Sequence, residues 1–296
     1  MEALRVLSSL VARHTAVPGG VRLEPSLGLR LASVSKGNTP TSTVYEPVLG
    51  LIVQGEKKIV LGDQVFSCGK GSFMVVSVDL PVTFTISRAT PPQPYLAFVM
   101  KLRSAAIASL LLECGEDAIH GEPSGFSGIG VSDADPALVD AAVRLVQLLD
   151  HPRDRPVLGP IVEKEILWRL LCGEQGHRLR QIGLADSRLS QIGRAMRHMR
   201  EHYREPLPIE DLARLAAMSV TSFHRHFRAV ALMSPLQYVK QIRLQEARAR
   251  LLANADDVAT IGHSVGYDSP SQFSREYKRA YGSPPGEDAR QLRAKR

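Results

Sequence analysis

Two short stretches of the chain carry the side chains best suited to reading the hydrogen-bond pattern of another molecule. In the first these are Thr221, His224, Arg225 and Arg228; in the second they are Ser271, Gln272, Ser274, Arg275 and Lys278. An arginine guanidinium is a planar fork of donors that pairs in bidentate fashion with O6 and N7 of guanine, while hydroxyl, amide and imidazole groups reach other base edges. The chemistry on offer is recognition by hydrogen bonds and charge. Arg225 and Arg275 are the expected guanine readers.

Helical spacing separates these polar groups from an apolar stripe. Val220, Phe223 and Phe227 recur at i, i+3 and i+7 in the first stretch, and Phe273 and Tyr277 at i and i+4 in the second, with Gln272 at the edge of the polar face. Each stretch follows a short apolar helix and a tight turn, so the pattern predicts two helix-turn-helix units, the second member of each presenting the polar face. The two copies are too few for a solenoid, which needs three or more repeats to close a core. Between them, Pro235 to Leu252 reads as one continuous helix. At 1.5 Å per residue it would be roughly 27 Å long, suited to holding two recognition helices about one turn of B-DNA (~34 Å) apart. Lys240 and Arg243 on it, with Arg228, are expected to meet phosphates.

The spacing of Met218-Ser219-x-x-x-Phe223-x-Arg225-x-Phe227, Arg243-Leu244-x-x-Ala247-x-x-x-Leu251-Leu252, Val265-Gly266-Tyr267-x-Ser269-x-Ser271-x-Phe273-Ser274-Arg275-x-Tyr277-Lys278 and Gly282-x-Pro284-Pro285 resembles the AraC/XylS family of bacterial transcription regulators. The match covers about the last hundred residues and departs at Glu287-Asp288-Ala289-Arg290, where the family has Tyr-Arg after the proline. A second set, Tyr45-Glu46-Pro47-x-Leu49, Val53-Gln54-Gly55-x-Lys57, Leu61-Gly62-Asp63, Val76 to Val82 and Pro94-Tyr95-Leu96, is similar to the amino-terminal domain of one subgroup of that family. The resemblance implies an α+β two-domain protein, an N-terminal cupin-like β-barrel with helices followed by an all-α double helix-turn-helix. It also implies double-stranded promoter DNA and RNA polymerase as partners and a small-molecule effector in the barrel, with activation the preferred outcome and repression the alternative.

Charge distribution agrees with this division. Residues 189–296 hold 18 Lys and Arg against 11 Asp and Glu, whereas residues 1–188 hold 19 of each, so the net +7 lies entirely in the part that carries the repeat. Cys68, Cys114 and Cys172 are too far apart for a Cys-x-x-Cys site, which argues against a zinc centre or a disulfide framework and for a reducing, cytoplasmic setting. No run of 18 apolar residues suggests a membrane span, and residues 1–13 lack the core of a signal peptide. Cupins commonly hold a metal on histidines, yet none occurs between His14 and His120, so no metal is expected. Nor does a nucleophile with a paired base or a phosphate-binding loop appear, which disfavours a barrel enzyme and implies no cofactor. A protein that binds nucleic acid without sequence preference is the other alternative.

In chain order, residues 2–14 read as an amphipathic helix and 21–102 as the barrel. The clearest hairpin there is Lys58–Leu61, the turn Gly62-Asp63, and Gln64–Ser67. Cys68, beside Gly69-Lys70-Gly71 in an expected turn, reads either as a buried, inert cysteine or as the candidate effector or redox thiol, with Cys114 and Cys172 expected to be buried. Residues 103–173 read as helices that pack within the chain or form a homodimer, and 173–188 as a polar linker. The boundary between an effector-sensing domain, 1–185, and a DNA-binding domain, 186–296, falls at its end. His198 and His202 lack the Glu of a metal motif and read as surface residues.

Overall fold

A computed structural model describes residues 2–114, 127–253 and 257–294. Residues 115–126 of the helical stretch expected over 103–173 lie outside the described residues. The chain divides into two compact units, one running to Gly193 and including Ala229–Leu232, the other comprising Arg194–Arg228 and the residues from Met233 onward. The first is rich in sheet and the described part of the second is helical, so the class is α+β. No described helix is long and apolar enough to cross a membrane.

The N-terminal unit begins with α1 (Glu2–His14) and continues through nine strands: β1 (Val21–Glu24), β2 (Leu29–Val34), β3 (Thr41–Tyr45), β4 (Val48–Gln54), β5 (Glu56–Leu61), β6 (Gln64–Cys68), β7 (Ser72–Val76), β8 (Leu80–Ser87) and β9 (Tyr95–Lys101). Then come α2 (Ser104–Cys114), β10 (Ile129–Asp133), α3 (Pro136–Gln147), α4 (Arg155–Cys172), α5 (Gly176–Gly183) and the start of α6 (Arg188–Glu201). The strands form two antiparallel sheets, ordered β1-β2-β9-β4-β7-β10 and β3-β8-β5-β6. Neither ladder closes on itself, where a closed barrel is the sequence expectation. Pro47, between β3 and β4, has no N–H to donate, and the chain changes sheet there. The expected hairpin is β5–β6, with Leu61 paired to Gln64 across Gly62-Asp63 and a positive φ of 61° at Gly62.

Alternation along the strands divides the six-stranded sheet into two faces. One presents Leu29, Leu31, Leu49, Leu51, Phe98 and Met100, all nearly inaccessible, to a core shared with the helices. Two expectations are corrected in this unit. Ile129–Asp133 is a strand, not helix, because its backbone pairs with β7 along the whole of its length. The polar stretch 173–188 contains a packed helix, α5, whose Leu179 and Ile182 join the core while Arg178 is buried with its Nε bonded to Gln175 at 3.0 Å.

In the C-terminal unit the rest of α6 is followed by α7 (Ile209–Leu215), α8 (Val220–Ala231, whose last three residues belong to the first unit), α9 (Pro235–Ala253), α10 (Val258–Ser264), α11 (Pro270–Tyr281) and α12 (Pro285–Ala294). α9 starts with a reciprocal cap: the Gln237 N–H donates to Ser234 Oγ at 3.2 Å, and the Ser234 N–H donates to Gln237 Oε1 at 2.9 Å. The departure at 287–290 is absorbed by Asp288. Its buried carboxylate accepts from Arg248 at 2.9 and 3.2 Å and from the Tyr277 hydroxyl at 2.8 Å, which fixes α12 to α9 and α11.

Candidate nucleic-acid interface

Both candidate recognition helices have their starts written locally. Ser219 Oγ accepts from the Ser222 N–H at 3.3 Å ahead of α8. Ser269 caps α11 in the same way from Gln272, Pro270 occupies its first turn, and left-handed Gly282 (φ 84°) closes it by donating to the Lys278 carbonyl at 2.8 Å. The aromatic stripes lie inside: Phe223, Phe227, Phe273 and Tyr277 have no accessible surface. Phe227 meets Tyr238 of α9 edge-on at 5.4 Å between ring centroids, and Phe273 lies 5.3 Å from Tyr267 and 5.6 Å from Tyr277. Val220 departs from the expected stripe, being 37% exposed. As the first residue of α8 it points back beyond the helix end, away from the packed face.

Opposite the stripes, Thr221, His224, Arg225 and Arg228 are exposed on α8, and Ser271, Gln272, Arg275 and Lys278 on α11, with Ser274 half-buried. A groove of about 600 Å³ inside this unit has both His224 and Gln272 on its walls. Each polar face therefore stands on a rigid aromatic base, which costs its side chains nothing to keep outside.

Lys240 and Arg243, the expected phosphate contacts, make bonds within the protein. Lys240 Nζ lies 2.7 Å from Glu276 Oε1, linking α9 to α11. Arg243 donates to the carbonyls of Tyr203 and Gly266, each at 2.7 Å, and of Glu205 at 3.2 Å. Sequence reasoning missed Glu276, which also accepts from the Tyr267 hydroxyl at 2.9 Å and from the Gln272 amide at 3.3 Å. Burial opposes ionisation of this carboxyl, but the hydrogen bonds from Lys240, Tyr267 and Gln272 outweigh it and hold the group below the usual carboxylate range. Gln272 is a local partner four residues earlier on α11, but Lys240 comes from another helix, so no local spacing announces the cluster.

His198 and His202 stack at 4.2 Å between ring centroids on α6, both half-buried. Among the described residues no three His, Cys, Asp or Glu side chains are grouped as metal ligands.

Of the two readings of Cys68 the buried one holds, whereas the expected burial of Cys172 is corrected and that of Cys114 is only partial. Cys68 is the last residue of β6 and fully buried, with burial pushing its thiol up to about 11 against the opposing influence of Lys57. Cys172 is exposed at the end of α4 and Cys114 half-buried at the end of α2. Limited maleimide labelling of the folded protein, read by peptide mass spectrometry, is expected to modify Cys172 first and Cys68 last, at least about tenfold more slowly. Equal labelling of the two would contradict the burial of Cys68.

The family model described as AraC-type transcriptional regulator N-terminus matches residues 25–178, and a helix-turn-helix domain model matches residues 212–291. The HTH-type transcriptional regulator ArgR of Pseudomonas aeruginosa is 28% identical over 152 residues, covering 50% of this chain and 45% of that protein. The HTH-type transcriptional regulator YisR of Bacillus subtilis, described as uncharacterized, is 28% identical over 144 residues, 49% of each chain. The chain thus spans about half the length of these curated relatives. Among solved structures, unsaturated fatty acid bound ToxT from Vibrio cholerae shares the fold, with a TM-score of 0.57 at 11% identity over 88% of this chain and 94% of that one.

Proposed function

The chain belongs to the AraC family of transcriptional regulators, and from that premise we propose that residues 186–296 bind double-stranded promoter DNA in a sequence-specific manner under the control of a small-molecule effector sensed by residues 1–185. The observation that carries this reading is the pair of exposed polar and basic faces on α8 and α11, each on a buried aromatic base. Arg225 and Arg275 take bidentate contacts to guanine, and Thr221, His224, Ser271, Gln272 and Ser274 read neighbouring base edges. Arg228 and Lys278 meet phosphates, a role supported by the excess of positive charge in this half of the sequence. α9, about 28 Å long at 1.5 Å per residue, spaces the two helices for successive major grooves.

The two sheets of the N-terminal unit are read as the cupin-like barrel in opened form, serving to bind the effector and not as a catalyst. ToxT with its bound fatty acid is a precedent for such binding within this fold. Val157, Leu158 and Ile161, exposed along α4, suit a homodimer face, and RNA polymerase is the partner in an activating role.

Footprinting the full chain on the DNA upstream of its own gene tests the central claim, with Arg275→Ala as the diagnostic variant. The loss of one bidentate contact is expected to cost about 1–3 kcal/mol at the protected site and to relax preference at one base pair. Equal losses on specific and random competitor DNA would make Arg275 a phosphate contact and remove it from base readout.

A further inference from the structure

Cations with no paired carboxylate among the described residues face the space between the two sheets of the N-terminal unit. Strand alternation sends Arg30 and Ala32 of β2, Gly50 of β4, and Tyr95 and Ala97 of β9 to the face of the six-stranded sheet that lies opposite its leucine-rich core. In the four-stranded sheet, Lys57 and Cys68 are direct cross-strand partners and share a face with Tyr45, Phe84 and the buried Ile59 and Leu61. The two faces are near enough for charge on one to act on the other: Arg30 influences the ionisation of Tyr45 and Lys57, and Tyr45 and Cys68 that of Tyr95.

Lys57 Nζ lies over the rings of Phe84 and Tyr45, at 4.2 and 5.0 Å from their centroids. Among the described residues no carboxylate pairs with it or with Arg30. Burial, and then Arg30, bring its pKa down to about 8. The Tyr45 hydroxyl is buried with no hydrogen-bond partner among the described residues. A buried ammonium and an orphaned hydroxyl are both unfavourable, and the ring contacts offset only part of that cost. Such a cost is kept where the missing partner arrives from outside. Access exists: Lys57, Tyr45 and Phe84 retain accessible surface and Arg30 is exposed. A cleft of about 530 Å³, lined in part by Glu56 and Gly69, opens one residue beyond Lys57 and Cys68 along the hairpin.

We propose that the space between the sheets is the effector site and that it takes an aromatic or apolar carboxylate. The anionic end lies between Lys57 and Arg30 and accepts a hydrogen bond from Tyr45, and the body lies against Phe84 and Tyr95. Two cations and a donor specify an anion, while the small side chains of Ala32 and Ala97 line the opposite wall beside Gly50, which Met74 covers. The assignment rests on the effector-sensing reading above and adds the chemical class.

Isothermal titration of the full chain with 2-naphthoate and with its neutral counterpart 2-naphthamide tests both levels. The acid is expected to bind about tenfold or more tightly than the amide, since only the acid recovers the charge pairing. Lys57→Met, checked for folding by circular dichroism, is expected to reduce the acid to the affinity of the amide and to leave the amide unaffected. Arg30→Gln provides the same comparison should Lys57→Met fail to fold. Equal affinity for acid and amide, or acid binding indifferent to these variants, overturns the carboxylate assignment and leaves small-molecule sensing intact. Binding of neither probe removes the inter-sheet space as an effector site, and the proposal with it.

Discussion

Arg243→Ala is expected to destabilise the C-terminal unit by about 2–4 kcal/mol while leaving the salt dependence of DNA binding nearly unchanged. Its guanidinium donates to three backbone carbonyls, those of Tyr203, Glu205 and Gly266, which come from the turn after α6 and from the turn before α11. Removing it leaves these acceptors without their donor and unties α9 from both segments. Charge-assisted bonds to partly buried acceptors are worth more than exposed ones, which sets the size of the effect. Denaturant unfolding gives the stability loss directly. A phosphate contact would behave in the opposite way, leaving stability intact and lowering the slope of log K against log salt by about one unit. That second outcome would restore the role read from sequence.

Phe273→Ala is expected to cost about 3–5 kcal/mol, the largest single loss anticipated in the helical unit. The ring is wholly inaccessible and packs between Tyr267 and Tyr277. It also closes over Gly262, where an added Cβ would stand only 3.0 Å from the ring. Truncation opens a cavity beneath the helix that presents Gln272 and Arg275, so binding should fail with folding on warming, whereas Phe273→Leu keeps most of the volume and most of the stability. Thermal unfolding of the two variants decides the matter. A loss below about 1 kcal/mol for the alanine would mean that the core collapses to refill the space.

Features with a short period were legible in the sequence. Phe223, Phe227, Phe273 and Tyr277 repeat on helical spacing, and all four are buried. α9 was expected to end at Leu252 and ends at Ala253, because Pro235 and the Ser234–Gln237 cap define its start without help from the rest of the fold. The β5–β6 hairpin is equally local. What was not legible depended on distant partners. Ile129–Asp133 becomes a strand only because β7 offers an edge. Lys240 looks like a free surface cation until Glu276 of another helix is placed beside it. Cys172 was expected to be buried from its apolar neighbours, yet it lies exposed at the end of α4. Whether a run of strands closes into a barrel is likewise a property of pairings between remote segments, which no local pattern states.

The order of the six-stranded sheet has a kinetic consequence. Leu29 pairs with Met100 and Ile129 with Val76, so most of the ladder requires long loops to close before any of its hydrogen bonds form. The helices of the other unit are built mainly from neighbours in sequence, and refolding from denaturant should assemble them ahead of the sheets. Synthesis reverses the advantage, because the slow half leaves the ribosome first. Translating the last hundred or so residues takes roughly 5–20 s at ordinary elongation rates, and the sheets have that interval to find their register before the faster half is complete.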